Sequence, residues 1–264
     1  MQQEDLIDRA HDVLIQDSRV LGVWLAGSFA RGTQDPYSDV DLWVVVDPDD
    51  LAGFIQDWPK VAEEIAPTVL RQQLGNFPIF NQVTADWLRF DISIGTPADI
   101  AERTRSTVKP LYDPGDLSAG LSDQAPPLQP DPRRVAALGQ EFMRVLGLLP
   151  VVVGRSEFVV GASGAHLLRT MLIQLMVEDV AVEDRGGALH LTALLPPERL
   201  RALTNLPPIS ATRDAVIAAH LSCAEIFLPL ARDLYARCDL PWPAELEAAL
   251  RSHLEATLSL ELRT

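Results

Sequence analysis

Two carboxylates with catalytic spacing stand near the N-terminal end of the chain. Asp39 and Asp41 are one residue apart at the start of an apolar run, Leu42 to Val46. On a β-strand, residues i and i+2 point to the same face, so both carboxylates project into one site. Two carboxylates this close repel each other unless a cation holds them, and magnesium binds a few carboxylates together with water and substrate phosphate. The pair therefore predicts metal-assisted phosphoryl or nucleotidyl transfer.

A phosphate-binding segment is predicted just before this pair. The apolar run from Val20 to Ala26 has the pattern of a buried strand and ends at Gly27-Ser28, after which we expect a turn-rich loop. The backbone of Gly27 can approach a phosphate closely, and the hydroxyl of Ser28 can donate a hydrogen bond to one. We expect this hydroxyl to lie in the loop and outside the core.

A third carboxylate comes from a later strand. The segment from Trp87 to Ile94 alternates apolar and polar residues, as a half-buried strand does. Asp91 shares its face with Arg89 and Ser93, while the apolar residues point to the other side. Aspartate is depleted in strands, so three aspartates at strand starts or within strands favour a functional site over simple solvation.

Together these motifs resemble the signature of the nucleotidyltransferase superfamily that includes DNA polymerase β. In that signature Gly-Ser closes one strand, Asp-x-Asp opens the next, and a third strand carries another aspartate. Within it, the chain resembles the lincosamide and aminoglycoside nucleotidyltransferases. Two segments carry this closer resemblance: the motif residues Phe29, Arg31, Gly32, Tyr37 and Ser38, and the run Arg155-Ser156-Glu157-Phe158. The second run resembles an Arg-Gly-Glu-Tyr segment that opens a helix in the family's second domain, with Ser156 in place of the glycine.

The resemblance implies a magnesium-dependent enzyme that moves AMP, or another nucleoside monophosphate, from ATP or another NTP to a hydroxyl of a small antibiotic-like molecule. It implies two sets of site residues. The metal ligands are Asp39, Asp41 and Asp91, and the nucleotide-binding residues are Gly27, Ser28, Arg31 and Ser38. Asp91 and Glu157 are both candidates for the base that takes the proton of the acceptor hydroxyl, and the sequence does not choose between them.

Two other functions stay open at this point. The chain could place AMP on a hydroxyl side chain of a partner protein, or it could be a catalytically inactive nucleotide-binding regulatory module. The complete set of three aspartates and the presence of a second domain argue against the inactive module. The nucleotide preference and the oligomeric state also stay open, a homodimer being one option.

Net charge narrows the class of partner. The chain carries 22 basic and 37 acidic side chains, a formal net charge of −15, and only two lysines, Lys60 and Lys109. A protein that grips a nucleic-acid backbone presents a basic surface, so DNA and RNA are excluded as expected partners. An acidic surface suits a cationic acceptor such as an aminoglycoside, whereas a lincosamide-like acceptor would depend on apolar contacts.

Composition predicts a cytoplasmic protein. No apolar run approaches the length needed to cross a membrane, so we expect no membrane partner, and the acidic start, Met1 to Asp5, is unlike a signal peptide. Cys223 and Cys238 lack metal-ligand spacing. Free thiols are favoured for them over a disulfide, which the sequence leaves open. His166, His190, His220 and His253 show no pairing that would indicate structural zinc.

A composition shift marks two domains. Residues 1–125 mix helical and strand patterns and are predicted to form the nucleotidyltransferase catalytic domain, a mixed sheet with helices. A proline-rich connector, residues 125–132, marks the boundary. Residues 126–264 are predicted to form a helical bundle that binds the acceptor. The fold class is therefore α+β. Helices are expected at residues 4–17 and from Leu51 to about Ala66, the latter disturbed by Pro59.

Overall fold

The structure, a computed structural model, describes residues 1–185 and 190–263. The chain divides into two compact units, Met1–Ala125 and Pro126–Thr264. The first unit is a mixed sheet of six strands with helices, and the described part of the second unit is helical. The predicted α+β class is confirmed.

The first unit is built on one sheet with the order β3-β4-β5-β2-β1-β6. Its strands are β1 (Val20–Leu25), β2 (Val40–Val46), β3 (Thr68–Gln73), β4 (Ile79–Thr84), β5 (Arg89–Gly95) and β6 (Lys109–Tyr112). Strands β2 and β5 run parallel, and the other neighbouring pairs of this sheet are antiparallel. The helices are α1 (Gln3–Leu14), α2 (Gly27–Arg31), α3 (Leu51–Ile65) and two 3₁₀ helices, Pro97–Glu102 and Leu117–Gly120.

The two faces of the sheet have different roles. Leu42, Val44 and Val46 of β2 point to one face, where they pack with residues of α1 and α3 in a buried core. Trp43 and Val45 point to the other face, in a smaller core with Trp24, Ile100, Val108 and Leu121. Because side chains alternate along a strand, Asp39 and Asp41 share the Trp43 face. We call it the carboxylate face.

The helix α3 differs from its prediction. Pro59 lies inside it, yet the helix continues from Leu51 to Ile65. A proline in a helix removes one backbone hydrogen bond, but Trp58 and Ala62 on either side of it are fully buried, and their packing holds the helix together. The helix α1 is shorter than expected and ends at Leu14 rather than residue 17.

The second unit packs its helices around one apolar core. They are α4 (Pro132–Leu146), α5 (Leu149–Gly154), α6 (Phe158–Glu178), α7 (Leu191–Leu194), α8 (Pro197–Thr204), α9 (Arg213–Arg237) and α10 (Ala244–Leu258). Phe142 of α4 stacks on Phe227 of α9 with ring centroids 3.7 Å apart. The side chain of Trp242 packs edge-on against Tyr235, and its indole N–H donates to Glu247, so this tryptophan serves packing. Both cysteines are free thiols.

Among the described residues of the second unit, three helical stretches are long and apolar enough to cross a membrane, judged by length and composition alone. They are Pro132–Gly154, Phe158–Glu178 and Arg213–Arg237. The expectation that no apolar run approaches this length is therefore wrong. It overlooked that a helix can hold a few charged residues and still keep a high mean hydropathy. In the structure these stretches contribute residues to the core of the unit.

Candidate active site

The connection from β1 to α2 brings backbone against Asp41. Gly27 has a φ of +56°, and a Cβ at this position would lie 1.8 Å from Oδ2 of Asp41. The backbone N–H of Ala26 donates to the carbonyl oxygen of Asp41 at 2.8 Å. Only glycine fits here, because both the backbone conformation and the space taken by the carboxylate exclude a side chain.

Ser28 differs from its prediction. Residues Gly27–Arg31 form the short helix α2 rather than a loop, and Ser28 is 4% exposed. Within the described residues its Oγ has no hydrogen-bond partner. A buried hydroxyl without a partner costs about 1–3 kcal/mol, so this atom is one that a bound phosphate oxygen would satisfy. The expectation that this hydroxyl lies in a loop outside the core was wrong, because the local sequence does not reveal the tertiary packing that buries Ser28.

The other two residues predicted to bind the nucleotide have different surroundings. Arg31 ends α2, and its positive charge acts to lower the pKa of Asp41. The hydroxyl of Ser38 donates to the carboxylate of Asp35 at 3.1 Å and accepts the Asp35 backbone N–H at 3.0 Å. Ser38 therefore closes the turn that precedes Asp39, and its hydroxyl is already engaged there.

The parallel pairing of β2 with β5 sets Asp41 directly beside Asp91. Asp39 is two residues before Asp41 and shares its face. Burial raises the pKa of Asp41 to about 6, and the negative charges of Asp39 and Asp91 add to this effect. Burial, followed by the charge of Asp39, also raises the pKa of Asp91. The three predicted carboxylates thus form one negatively charged cluster.

Two further residues hold this cluster. Arg89 of β5 lies with its guanidinium 3.7 Å from Oδ2 of Asp39 and donates to the carbonyl oxygen of Tyr37 at 2.9 Å. Asn81 of β4 is the register partner of Asp91, and its amide donates to Oδ2 of that carboxylate. This bond lowers the pKa of Asp91 against the effect of burial. Sequence reasoning missed Asn81, although an asparagine inside β4 was a usable signal, since asparagine is depleted in strands.

The donor set fits magnesium. Within the described residues, no group of three or more His, Cys, Asp or Glu side chains is arranged to hold a metal ion. Magnesium usually takes only one or two carboxylates and completes its shell with water and substrate phosphates. Asp39 and Asp41 supply hard oxygen atoms. Burial is the main cause that raises the pKa of Asp41, the charges of Asp39 and Asp91 add to it, and a bound cation would favour the ionised carboxylate.

Glu157 belongs to the second unit, where it precedes α6. Its side chain is exposed and makes no capping hydrogen bond. Ser156 before it has a φ of +57°, the left-handed conformation that glycine adopts easily. The structure thus keeps a glycine-like backbone at the position where the sequence has serine. The role of Glu157 as a base stays a prediction.

Comparison with known proteins bears on the first unit. Residues 7–82 match the family model described as a nucleotidyltransferase domain. This stretch contains α1, β1, α2, β2 and both aspartates of the Asp-x-Asp motif. Residues 7–82 of the first unit are therefore similar to nucleotidyltransferase domains, and the predicted enzyme class, nucleotidyltransferase, is confirmed. No curated protein matches the chain significantly.

Three solved structures are similar over almost the whole chain at low identity. An aminoglycoside 6-adenyltransferase from Bacillus subtilis is 14% identical, with 95% of each chain covered and a TM-score of 0.43. The apo form of a CCA-adding enzyme is 14% identical, with 96% of this chain and 72% of that chain covered and a TM-score of 0.39. A Thermotoga maritima CCA-adding enzyme complexed with tRNA is 12% identical, with 97% and 73% covered and a TM-score of 0.35.

Proposed function

We propose that this protein transfers a nucleoside monophosphate, AMP by preference, from an NTP to a hydroxyl of a small molecule in a magnesium-dependent reaction. One observation carries the proposal: Asp41 and Asp91 are register partners on parallel strands, and the charge of Asp39, just before β2, acts on both carboxylates. Carboxylates held this close repel each other unless a cation neutralises them, which supports cation binding by Asp39 and Asp41. The family match over residues 7–82 supports the same class of reaction.

Each residue has a defined task in this reaction. Asp39 and Asp41 hold magnesium, which when bound neutralises charge on the triphosphate. The unpaired Oγ of Ser28 donates to an outer phosphate, and Arg31 stabilises the departing pyrophosphate. The acceptor oxygen attacks the α-phosphorus, a new P–O bond forms, and the bond to the β-phosphate bridge oxygen breaks. The hydroxyl proton passes to a carboxylate, for which Asp91 is the candidate in the first unit.

The acceptor is proposed to be an antibiotic-like small molecule, of aminoglycoside or lincosamide type, and the protein to act in the cytoplasm. A net charge of −15 disfavours a nucleic-acid acceptor, since phosphate backbones are bound by basic surfaces. We assign the helical second unit, residues 126–264, further contacts to the acceptor, with Glu157 as the alternative base. Antibiotic resistance is the physiological role that this acceptor class would imply.

The direct test is incubation with ATP labelled at the α-phosphate, magnesium and a panel of aminoglycosides and lincosamides. Label on a small molecule together with pyrophosphate release supports the proposal. Label on a protein would instead show the protein-modifying alternative, and nucleotide binding without pyrophosphate release would show the inactive module. Asp39→Asn and Asp41→Asn should each abolish transfer. Asp49→Asn, an exposed carboxylate of the same unit, is the matched control and should keep wild-type turnover.

A further inference from the structure

The carboxylate face of the sheet continues past Asp91 onto β4 and β3. Asn81 pairs with Asp91 and Gln72 pairs with Asn81, so a row of side chains crosses three strands. The same face carries aliphatic residues beside this row. We call the five residues the acceptor floor: Leu70, Gln72, Ile79, Asn81 and Val83. Leu70 is 48% exposed, Gln72 is exposed, and the other three are partly exposed.

The acceptor floor lies on the side of β2 from which the acceptor hydroxyl must approach the α-phosphorus. Strand β1 and helix α2, with the unpaired Oγ of Ser28, lie on one side of β2, whereas β5 and β4 lie on the other side. In phosphoryl transfer, the attacking and the leaving oxygens lie roughly in line across the phosphorus. A pyrophosphate that departs over α2 therefore requires an acceptor hydroxyl that approaches over β5 and the floor.

The chemistry of the floor selects a class of acceptor. None of its five side chains is ionisable: three are aliphatic and two are amides. Two charged residues of β5 border the floor: Asp91, which accepts from Asn81, and Arg89, which is the register partner of Val83. A polycation would meet no carboxylate among the five floor residues, and Arg89, which is ion-paired with Asp39, adds a positive charge at the border. An uncharged ring system with hydroxyls would find apolar contacts and two amides for hydrogen bonds.

We propose that the acceptor floor binds an acceptor of low charge that combines an apolar surface with hydroxyl groups, rather than a polycationic amino sugar. This inference rests on the proposed function. With strands about 4.8 Å apart, the floor reaches about 10 Å from β5 to β3, which is the dimension of a small molecule. The acidic net charge of the whole chain is then a property of other surfaces.

The test measures binding to the free protein, so that it does not depend on turnover. One lincosamide, with a single weakly basic amine and an apolar chain, and one aminoglycoside are titrated by calorimetry at low and high salt. We expect the lincosamide to bind with an affinity that hardly changes with salt. Leu70→Thr and Val83→Thr should each weaken it about tenfold, because each removes apolar contact but keeps a residue that favours strands. Phe77→Ser, an exposed aromatic outside the paired strands of the same hairpin, should not change it.

Three results would overturn the inference: binding of neither probe, tighter and salt-sensitive binding of the aminoglycoside, or equal affinity in wild type and both floor variants. Circular dichroism of the variants checks that each one is folded. Failure of the proposed function looks different. In that case the lincosamide binds with the expected dependence on Leu70 and Val83, but no nucleotide is transferred to it and pyrophosphate is not released.

Discussion

We expect Asp41→Asn to stabilise the metal-free protein near neutral pH while it removes transfer activity. The carboxylate is held beside Asp91 and on the same face as Asp39, and burial is the main cause that raises its pKa from 3.8 to about 6. Asparagine keeps nearly the same shape but carries no charge. The variant therefore removes the electrostatic cost of the site together with its metal ligand.

The magnitude follows from the shift in pKa. One unit corresponds to about 1.36 kcal/mol, so a rise of about two units makes the ionised Asp41 cost about 3 kcal/mol in the folded state. The folded pKa lies above the unfolded one, so the folded state binds the proton more tightly. This destabilisation is complete above about pH 6, falls to roughly half at about pH 5 and vanishes below about pH 3.8.

Urea unfolding at pH 7.5 and pH 5.0 with a chelator measures this difference. The variant should be more stable than wild type by about 3 kcal/mol at pH 7.5 and by about half as much at pH 5.0. Magnesium should stabilise wild type more than the variant. Asp39→Asn is the matched control, because Asp39 is partly exposed and ion-paired with Arg89. Its loss should change the free energy of unfolding by less than about 1 kcal/mol, and transfer should still be abolished. An Asp41→Asn protein less stable than wild type at pH 7.5 would refute the reasoning.

Three further substitutions test separate features. Ser28→Ala should leave stability unchanged or raise it, because no described residue forms a hydrogen bond with its Oγ. The kcat/KM for ATP should fall by roughly ten- to a few hundred-fold through the lost phosphate contact, and an unchanged kcat/KM contradicts the phosphate role. Gly27→Ala should destabilise the first unit and abolish transfer, since its Cβ would lie 1.8 Å from Oδ2 of Asp41. A variant that is folded in thermal melting and active in turnover assays would argue against this geometry. Ser156→Gly should raise the free energy of unfolding by about 0.5–1 kcal/mol, because serine has a φ of +57° there. A loss of stability in urea unfolding would show that the backbone is not strained.

The local parts of the site were predictable from the sequence, because side-chain alternation and turn chemistry act over a few residues. Asp39 and Asp41 at the start of β2, and Asp91 within β5, follow from such patterns. The parallel pairing that joins Asp41 to Asp91 does not. It depends on the order of the strands in the sheet, which places β5 beside β2 although β3 and β4 come between them in the chain.

The missed features share a physical origin in tertiary packing. Asn81 gained its role because β4 pairs with β5 in a register that sets it opposite Asp91. Ser28 is buried by its surroundings and not by its own preference, since an isolated serine after a strand is typical of a loop. Pro59 fails to interrupt α3 because the buried residues around it outweigh one lost hydrogen bond. Each outcome is decided by neighbours that are distant in sequence.

The pairing of Asp41 with Asp91 also bears on when the site forms during folding. The partners are separated by about fifty residues, and the α3 helix and the β3–β4 hairpin come between them. Contacts between residues this far apart in sequence are expected to form after local helices and hairpins. We therefore expect the carboxylate repulsion to arise late in folding. A bound ligand that relieves it stabilises the native state more than the transition state, so we expect magnesium nucleotide to slow unfolding and to leave the refolding rate almost unchanged.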